Sequence, residues 1–367
     1  MRTSARRNVS GARDLRMKSS QKLLVFCTVS RHKNGEAKPM CFPKPLASTI
    51  TALGVFLFLA GPSSGEEGGA GDYIPGLYAS LINITPNKPG FALGTGYLFY
   101  AGSVGANTTL PFGGILAANI NADVSLADVT LSYTFRPAIL GAHYTVSISI
   151  PYAWVDVDAK VSLNPRLLPS LIGTRTKEVQ DTANGLSDIF LVPFALNWTF
   201  GDLQVNPQFF MVAPTGEYEK GQLATAGKNH WMFDWLLGLS YLSHKTGTEF
   251  TMFGGYGIST ENHATNYRNG DVFHLEATLE QFLPLSKQTL IGVGANAFYY
   301  QQVTGDSGSG AHLGPNLGTD MGVGPVVTLI HTSPKCSFSV QVKWLPEIDT
   351  THRLNGNWVW VAAGLLF

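Results

Sequence analysis

The sequence predicts an all-β protein, a transmembrane antiparallel β-barrel of about 12 strands (14 possible) with short turns at one end and long loops at the other. Three observations predict it. Apolar and polar side chains alternate with a period of two along stretches of ordinary strand length or longer. The connections between those stretches alternate between very short and long. Only 14% of the 367 residues are charged, where a soluble domain has about a quarter, while 40 residues are glycine and 11% are aromatic.

Charge is unevenly placed. Residues 1–65 carry 11 of the 25 basic and 2 of the 25 acidic side chains, so the remainder holds 14 against 23, a net charge of −9. An acidic body repels polyanions, which argues against a nucleic-acid partner. Residues 46–60 read LASTITALGVFLFLA, preceded by Lys38 and Lys44 and followed by small residues. A basic approach, an apolar core too short to span a bilayer comfortably and a small-residue exit describe a secretory signal peptide. We therefore expect residues 1–65 to be a leader, with Met40 a possible true start, and residues 66–367 to form a single barrel domain. Cys27 and Cys41 fall in the leader, which leaves Cys336 alone in the body and no disulfide framework or CxxC metal site.

The predicted strands, in order, are 90–101, 124–135, 142–150, 186–200, 203–213, 231–243, 248–260, 273–280, 288–303, 318–333, 337–345 and 355–367. In 142–150, Tyr144, Val146, Ile148 and Ile150 oppose His143, Thr145, Ser147 and Ser149; in 337–345, Phe338, Val340, Val342 and Trp344 oppose Ser337, Ser339, Gln341 and Lys343. Residues 74–84 and 114–122 also alternate, hence the alternative of fourteen strands; the segment before Pro86 otherwise serves as a periplasmic tail or an internal plug. Tight turns at 136–139, 201–202, 245–247, 284–287 and 334–335 alternate with loops at 102–123, 151–185, 214–230, 261–270, 304–317 and 346–354. Short periplasmic turns and long external loops are the asymmetry of bacterial outer-membrane barrels. Lipid offers no hydrogen-bond partner to a free strand edge, so such a sheet must close.

The last strand carries Val359, Val361, Ala363, Leu365 and Phe367 on one face, an apolar row ending in an aromatic residue of the kind read by the outer-membrane assembly machinery. Trp198, Phe200, Trp231, Trp235, Tyr241 and Trp344 suit aromatic girdles at the membrane interfaces, facing outer-membrane lipid and lipopolysaccharide.

Chemistry is sparse. Gly305-Asp306-Ser307-Gly308 has the order found around a serine-protease nucleophile, but no matching histidine motif precedes it, and a turn needs such residues anyway. No Walker loop, dinucleotide fingerprint or zinc helix occurs, and His263, His312 and His352 fall in separate loops. We expect no catalytic residue, no metal and no cofactor. The inward positions say more. Asp234, Glu249, His274, Glu276, Glu280, Gln341 and Lys343 alternate with oily neighbours and so face the lumen, because charge at the lipid midplane costs about 2–4 kcal/mol. They either bond one another to fill the interior or line a solute path, to which inward Phe210, Phe253 and Phe298 add apolar surface.

Several segments carry a resemblance. These are Gly185-Leu186-Ser187-Asp188-Ile189, Leu196-Asn197-Trp198, Pro214-Thr215-Gly216-Glu217-Tyr218, Gly227-Lys228-Asn229-His230-Trp231, Tyr267-Arg268-Asn269-Gly270-Asp271, the run from Gln301 to Gly308, and Gly324-Pro325. In order and spacing, over residues 72–367, the chain resembles the outer-membrane transporter family associated with the meta-pathway of phenol degradation, also described as SphA-like. The resemblance implies a Gram-negative outer-membrane channel for small hydrophobic or aromatic compounds, without enzymatic activity. The alternatives are an outer-membrane lipid-modifying enzyme, which would need a Ser or Asp beside a His on adjacent strands, and a structural or adhesive barrel with a plugged lumen.

Overall fold

The structure, a computed structural model, describes residues 26–31, 37–42, 66–69, 71–136, 138–163, 175–313, 317–333 and 337–367. Two compact units divide the chain at Leu59/Ala60. Among its described residues the first holds one antiparallel hairpin, β1 (Phe26–Arg31) and β2 (Ala37–Phe42). The apolar core expected of a signal peptide and Cys336 lie outside the described residues.

The second unit is a closed barrel. Its strands are β3 (Gly90–Phe112), β4 (Ile115–Thr134), β5 (His143–Leu163), β7 (Ile189–Phe200), β8 (Leu203–Ala213), β9 (Met232–Leu242), β10 (Thr248–Ser259), β11 (Val272–Pro284), β12 (Thr289–Gln302), β13 (Thr319–Thr332), β14 (Ser337–Thr351) and β15 (Asn355–Leu366), with one further strand, β6 (Arg175–Leu186). Neighbours pair antiparallel in chain order, β15 returns to β3, and β4 meets β5, so twelve strands complete the ring. Closure satisfies the main-chain hydrogen bonds that lipid cannot.

Burial runs opposite to that of a soluble sheet. Along β11, His274, Glu276, Thr278 and Glu280 are buried while Phe273 and Leu279 are exposed. Trp235 and Phe200 are 59% and 63% exposed, and Trp231, Tyr241 and Trp344 also face outward, as a lipid-facing band requires. Gly90 and Phe367 meet at the end that carries the turns 201–202, 243–247 and 285–288, where the Phe367 amide donates to Phe91 O.

Three expectations need correction. Residues 102–123 are not a loop: β3 and β4 run on past the membrane and join through Gly113 and Gly114, whose φ of 52° and 85° fit the two central positions of a type I′ turn. Likewise 151–185 is largely strand, since β5 continues to Leu163 and β6 pairs with it from Tyr152↔Leu186 upward. Below the break at Ser187 and Asp188, β7 takes over the same edge of β5, from Ser149↔Phe190 to His143↔Asn197. β6 is thus the external continuation of β7. Most of 346–354 belongs to β14 and leaves a turn of three residues, 352–354. Alternation of oil and water stops where a strand leaves lipid, so these extensions look like loops in sequence.

Residues 114–122 are therefore the start of β4, and 74–84 is no barrel strand. Residues 66–69 and 71–86 run as a thread inside the barrel, with a 3-10 turn at Leu81–Asn83. Glu66 pairs with Arg353 near the external rim, Gly76 and Tyr78 meet Lys343 midway, and Thr85 bonds Asn197 and Asn206 near the periplasmic end.

Candidate functional site: the lumen around an internal thread

The ten inward candidates all have buried side chains inside the barrel. All but Phe210 come from β9 to β14, and there Glu276, Lys343, His274, Phe253 and Phe298 meet the thread. Lys343 Nζ donates to Gly76 O and Tyr78 O, each at 2.8 Å, and lies 3.5 Å from Glu276 Oε1. Glu276 Oε2 in turn accepts from the Tyr73 hydroxyl at 3.1 Å and from the Gly76 and Tyr78 amides at 3.2 Å. A cation therefore meets the carbonyls of one short stretch and a carboxylate meets its amides, which fixes its position along the barrel axis.

Asp234 Oδ2 and His274 Nε2 are 2.8 Å apart and fully buried. They meet across β10 because Gly255 stands between them, and a Cβ there would collide with the imidazole. The His274 ring stacks on Tyr73 at 4.4 Å and on Tyr78 at 5.7 Å. Phe253 and Phe210 pack on Tyr78 at 6.0 and 5.8 Å, and Phe298 lies 6.4 Å from Tyr73. Lower down, Glu249 and Glu280 are register partners; Thr328 donates to Glu280 at 3.0 Å and Gln341 donates to Thr328 at 2.8 Å.

The opposite wall is apolar. A cavity of about 210 Å³ lies between the thread and β3, β4, β5, β7, β8 and β15, lined by Leu98, Tyr100, Leu126, Val155, Phe190 and Trp358 among others. Apolar cavities of about 150 Å³ already take up a benzene-sized molecule. Of the sequence-derived candidates only Phe210 reaches it. A second cavity, about 580 Å³, opens toward the periplasmic end and is lined by Ile84, Thr95, Asp128, Gln341 and Lys343. Leu77 of the thread borders both. Asp234, Glu249, His274, Glu276, Glu280, Phe253 and Phe298 line neither cavity.

Sequence reasoning missed this apolar wall. The signal was the unbroken run Tyr97-Leu98-Phe99-Tyr100: Tyr97 and Phe99 face lipid while Leu98 and Tyr100 are buried inside, so both faces of β3 are oily.

The external end of the first cavity is polar. Asp72 Oδ1 is 3.0 Å from His230 Nε2 and 3.2 Å from Lys228 Nζ, and Asp72 Oδ2 accepts from Asn269 at 3.1 Å and from Ser259. Burial opposes the charge on Asp72, but His230 and Lys228 hold its carboxyl well below the usual range. Burial also works against protonation of His230, yet Asp72 raises it above its ordinary 6.5. Asp188 accepts from the Gly216 amide at 2.8 Å and the Lys228 amide at 2.7 Å, which ties the 214–231 loop to the break between β6 and β7. Asp306, from the protease-like tetrad, instead accepts from the Gly270 amide at 2.8 Å and Gln302 at 2.6 Å, a brace between two external loops.

Residues 102–363 match the family described as "Putative MetA-pathway of phenol degradation". No curated protein matches the chain. Among solved structures, an outer membrane channel from Pseudomonas putida F1 is 11% identical with a TM-score of 0.53, over 81% of this chain and all (100%) of that one. The β domain of the Bordetella autotransporter BrkA is 12% identical (TM-score 0.43; 76% and 99% covered), and a Pseudomonas aeruginosa FadL homologue 9% (TM-score 0.36; 83% and 98% covered). The first of these likenesses is one of fold: a closed bacterial outer-membrane barrel.

Proposed function

The chain belongs to the family described as putative MetA-pathway of phenol degradation and folds as a closed outer-membrane barrel; from that premise we propose that it is a channel that carries small hydrophobic or aromatic molecules inward along the apolar wall of its lumen. The observation that carries this reading is the apolar cavity beside the thread. A channel for ions and sugars needs a wet lumen, whereas here Leu98, Leu126, Val155 and Phe190 turn oil toward the interior of a lipid-embedded barrel. A solute held there passes Leu77 to reach the larger periplasmic cavity. Glu276, Lys343, Asp234 and His274 are, in this reading, the scaffold that positions the thread. Phe210 lines the path, and Gln341 and Lys343 border its exit.

Catalysis is the less favoured reading. The Asp234–His274 pair has the acid–base composition a hydrolase needs, but the imidazole is stacked under Tyr73 and Tyr78 and borders neither cavity. The outward aromatic band suits lipid and lipopolysaccharide, and Phe367, exposed at the periplasmic end, suits recognition by the assembly machinery.

Uptake of a labelled aromatic hydrocarbon by cells with and without the protein tests the reading. Faster uptake with the protein, reduced in Leu77→Trp, is expected. Equal rates in all three strains would remove the transport function and leave the barrel. Single-channel recordings in planar bilayers complete the test, because a lumen sealed for structural or adhesive reasons gives neither ion steps nor uptake.

A further inference from the structure

Among the described residues, the external end of the apolar cavity carries three carboxylates, and two of them have both oxygens engaged. Both oxygens of Asp72 are occupied by His230, Lys228, Ser259 and Asn269, and those of Asp188 by the Gly216 and Lys228 amides. Glu67 differs. Its Oε2 accepts from Asn262 Nδ2 and Thr265 Oγ1, each at 3.2 Å, while its Oε1, buried and at the cavity wall, has no hydrogen-bond partner among the described residues. The Tyr218 hydroxyl, also at this wall, lies close enough to Asn262 and Thr265 to feel both, but among the described residues no partner reaches it at hydrogen-bond distance and angle. Burial raises both groups above their ordinary ranges, and the nearness of Glu67 is the second cause for Tyr218.

Two unpartnered buried polar atoms at one end of an apolar cavity are costly unless something completes them. The cation here offers nothing to an anion, since Lys228 Nζ is already committed to Asp72 and Gly71 O. Glu67, Asp72 and Asp188 outnumber Lys228 and His230, so a carboxylate head would meet repulsion.

We propose that this cavity selects apolar molecules bearing one hydrogen-bond-donating head group, with Glu67 Oε1 accepting from the head and the Tyr218 hydroxyl completing its contacts, and that it rejects the same body with a carboxylate. The proposal rests on the cavity being the solute site, and the test separates the two. Three ligands share one ring system and differ in head: 1-naphthalenemethanol, 1-methylnaphthalene and 1-naphthoate. Binding to the full protein in lipid nanodiscs is measured by equilibrium dialysis, with empty nanodiscs subtracting partition into lipid. The alcohol is expected to bind about tenfold tighter than either relative, the discrimination one hydrogen bond supplies. Glu67→Ala and Tyr218→Phe should each shrink that ratio toward one. Heat-modifiable mobility on gels certifies that each variant is a folded barrel, and Tyr218→Phe, which touches no ion pair, serves if Glu67→Ala does not fold. Equal binding of all three by the native protein, or an unchanged ratio in folded Tyr218→Phe, overturns the head-group assignment and spares the cavity. Absence of binding by any of the three overturns both.

Discussion

Replacing Lys343 by methionine keeps most of the side-chain volume and removes its ammonium group. Three interactions go with it: the 2.8 Å hydrogen bonds to Gly76 O and Tyr78 O, and the 3.5 Å approach to Glu276 Oε1. Removing one member of a buried ion pair costs about 3–5 kcal/mol, because the survivor is left charged and uncompensated. Here the survivor is Glu276, which also receives the Gly76 and Tyr78 amides, so the loss falls on the thread rather than on the β-ladder. If about 3 kcal/mol of it opposes docking of residues 73–79, the docked-to-released ratio falls by about a hundredfold. Hydrogen exchange at the amides of Gly76, Leu77 and Tyr78 reads this directly, and single-channel recordings should show more frequent wide openings. The double variant Glu276→Gln, Lys343→Met should regain part of the protection, since it removes the orphaned charge. Unchanged exchange at those amides in Lys343→Met would refute the reasoning and shift the anchoring to Trp360, which donates to Pro75 O at 2.7 Å, and to the Thr85 contacts.

Gly255→Val drives a side chain into the imidazole of His274; we expect a loss of about 1–3 kcal/mol, read as a lower temperature for the heat-modifiable gel shift. Leu279→Arg puts a charge on the lipid face near the middle of β11 and should cost about 2–4 kcal/mol in folding into bilayers, while the inward Thr278→Ser is tolerated. The Asp72–His230 contact depends on pH with two signs. His230 is raised in the folded protein, so its contribution is complete below its ordinary 6.5 and is lost as pH rises through the higher folded value. Asp72 is lowered, so its contribution is complete above 3.8 and is lost as pH falls through the lower folded value. The difference in folding stability between the parent and Asp72→Asn should therefore be greatest between about pH 4 and 6.5. A stability profile identical in Asp72→Asn and the parent would show that other groups set it.

The barrel was legible because its cause is local. Each strand that crosses lipid declares its two faces one residue at a time, as in Phe273, His274, Leu275 and Glu276, and no knowledge of its neighbours is needed to read them. Turn chemistry such as Gly201-Asp202 is equally local. The same locality explains the misreadings: outside the membrane both faces of β4 and β5 meet water or the thread, the alternation fades, and a protruding strand reads as a loop despite its Gly113-Gly114 turn.

The inward set was legible as a set, but its division of labour was not. Lys343 is almost seventy positions beyond Glu276 in the chain, and Tyr73 about two hundred before it. Only closure of the ring, with the thread drawn through it, brings the three together. Periodicity alone likewise gave no sign that the buried charges gather on one side of the lumen and the oil on the other, because side-chain alternation fixes which way a residue points and leaves open what it meets there. The sequence by itself determined that this chain lives in lipid as a closed sheet. The tertiary structure decided that a segment without strand partners fills the ring, and so where room for a solute is left.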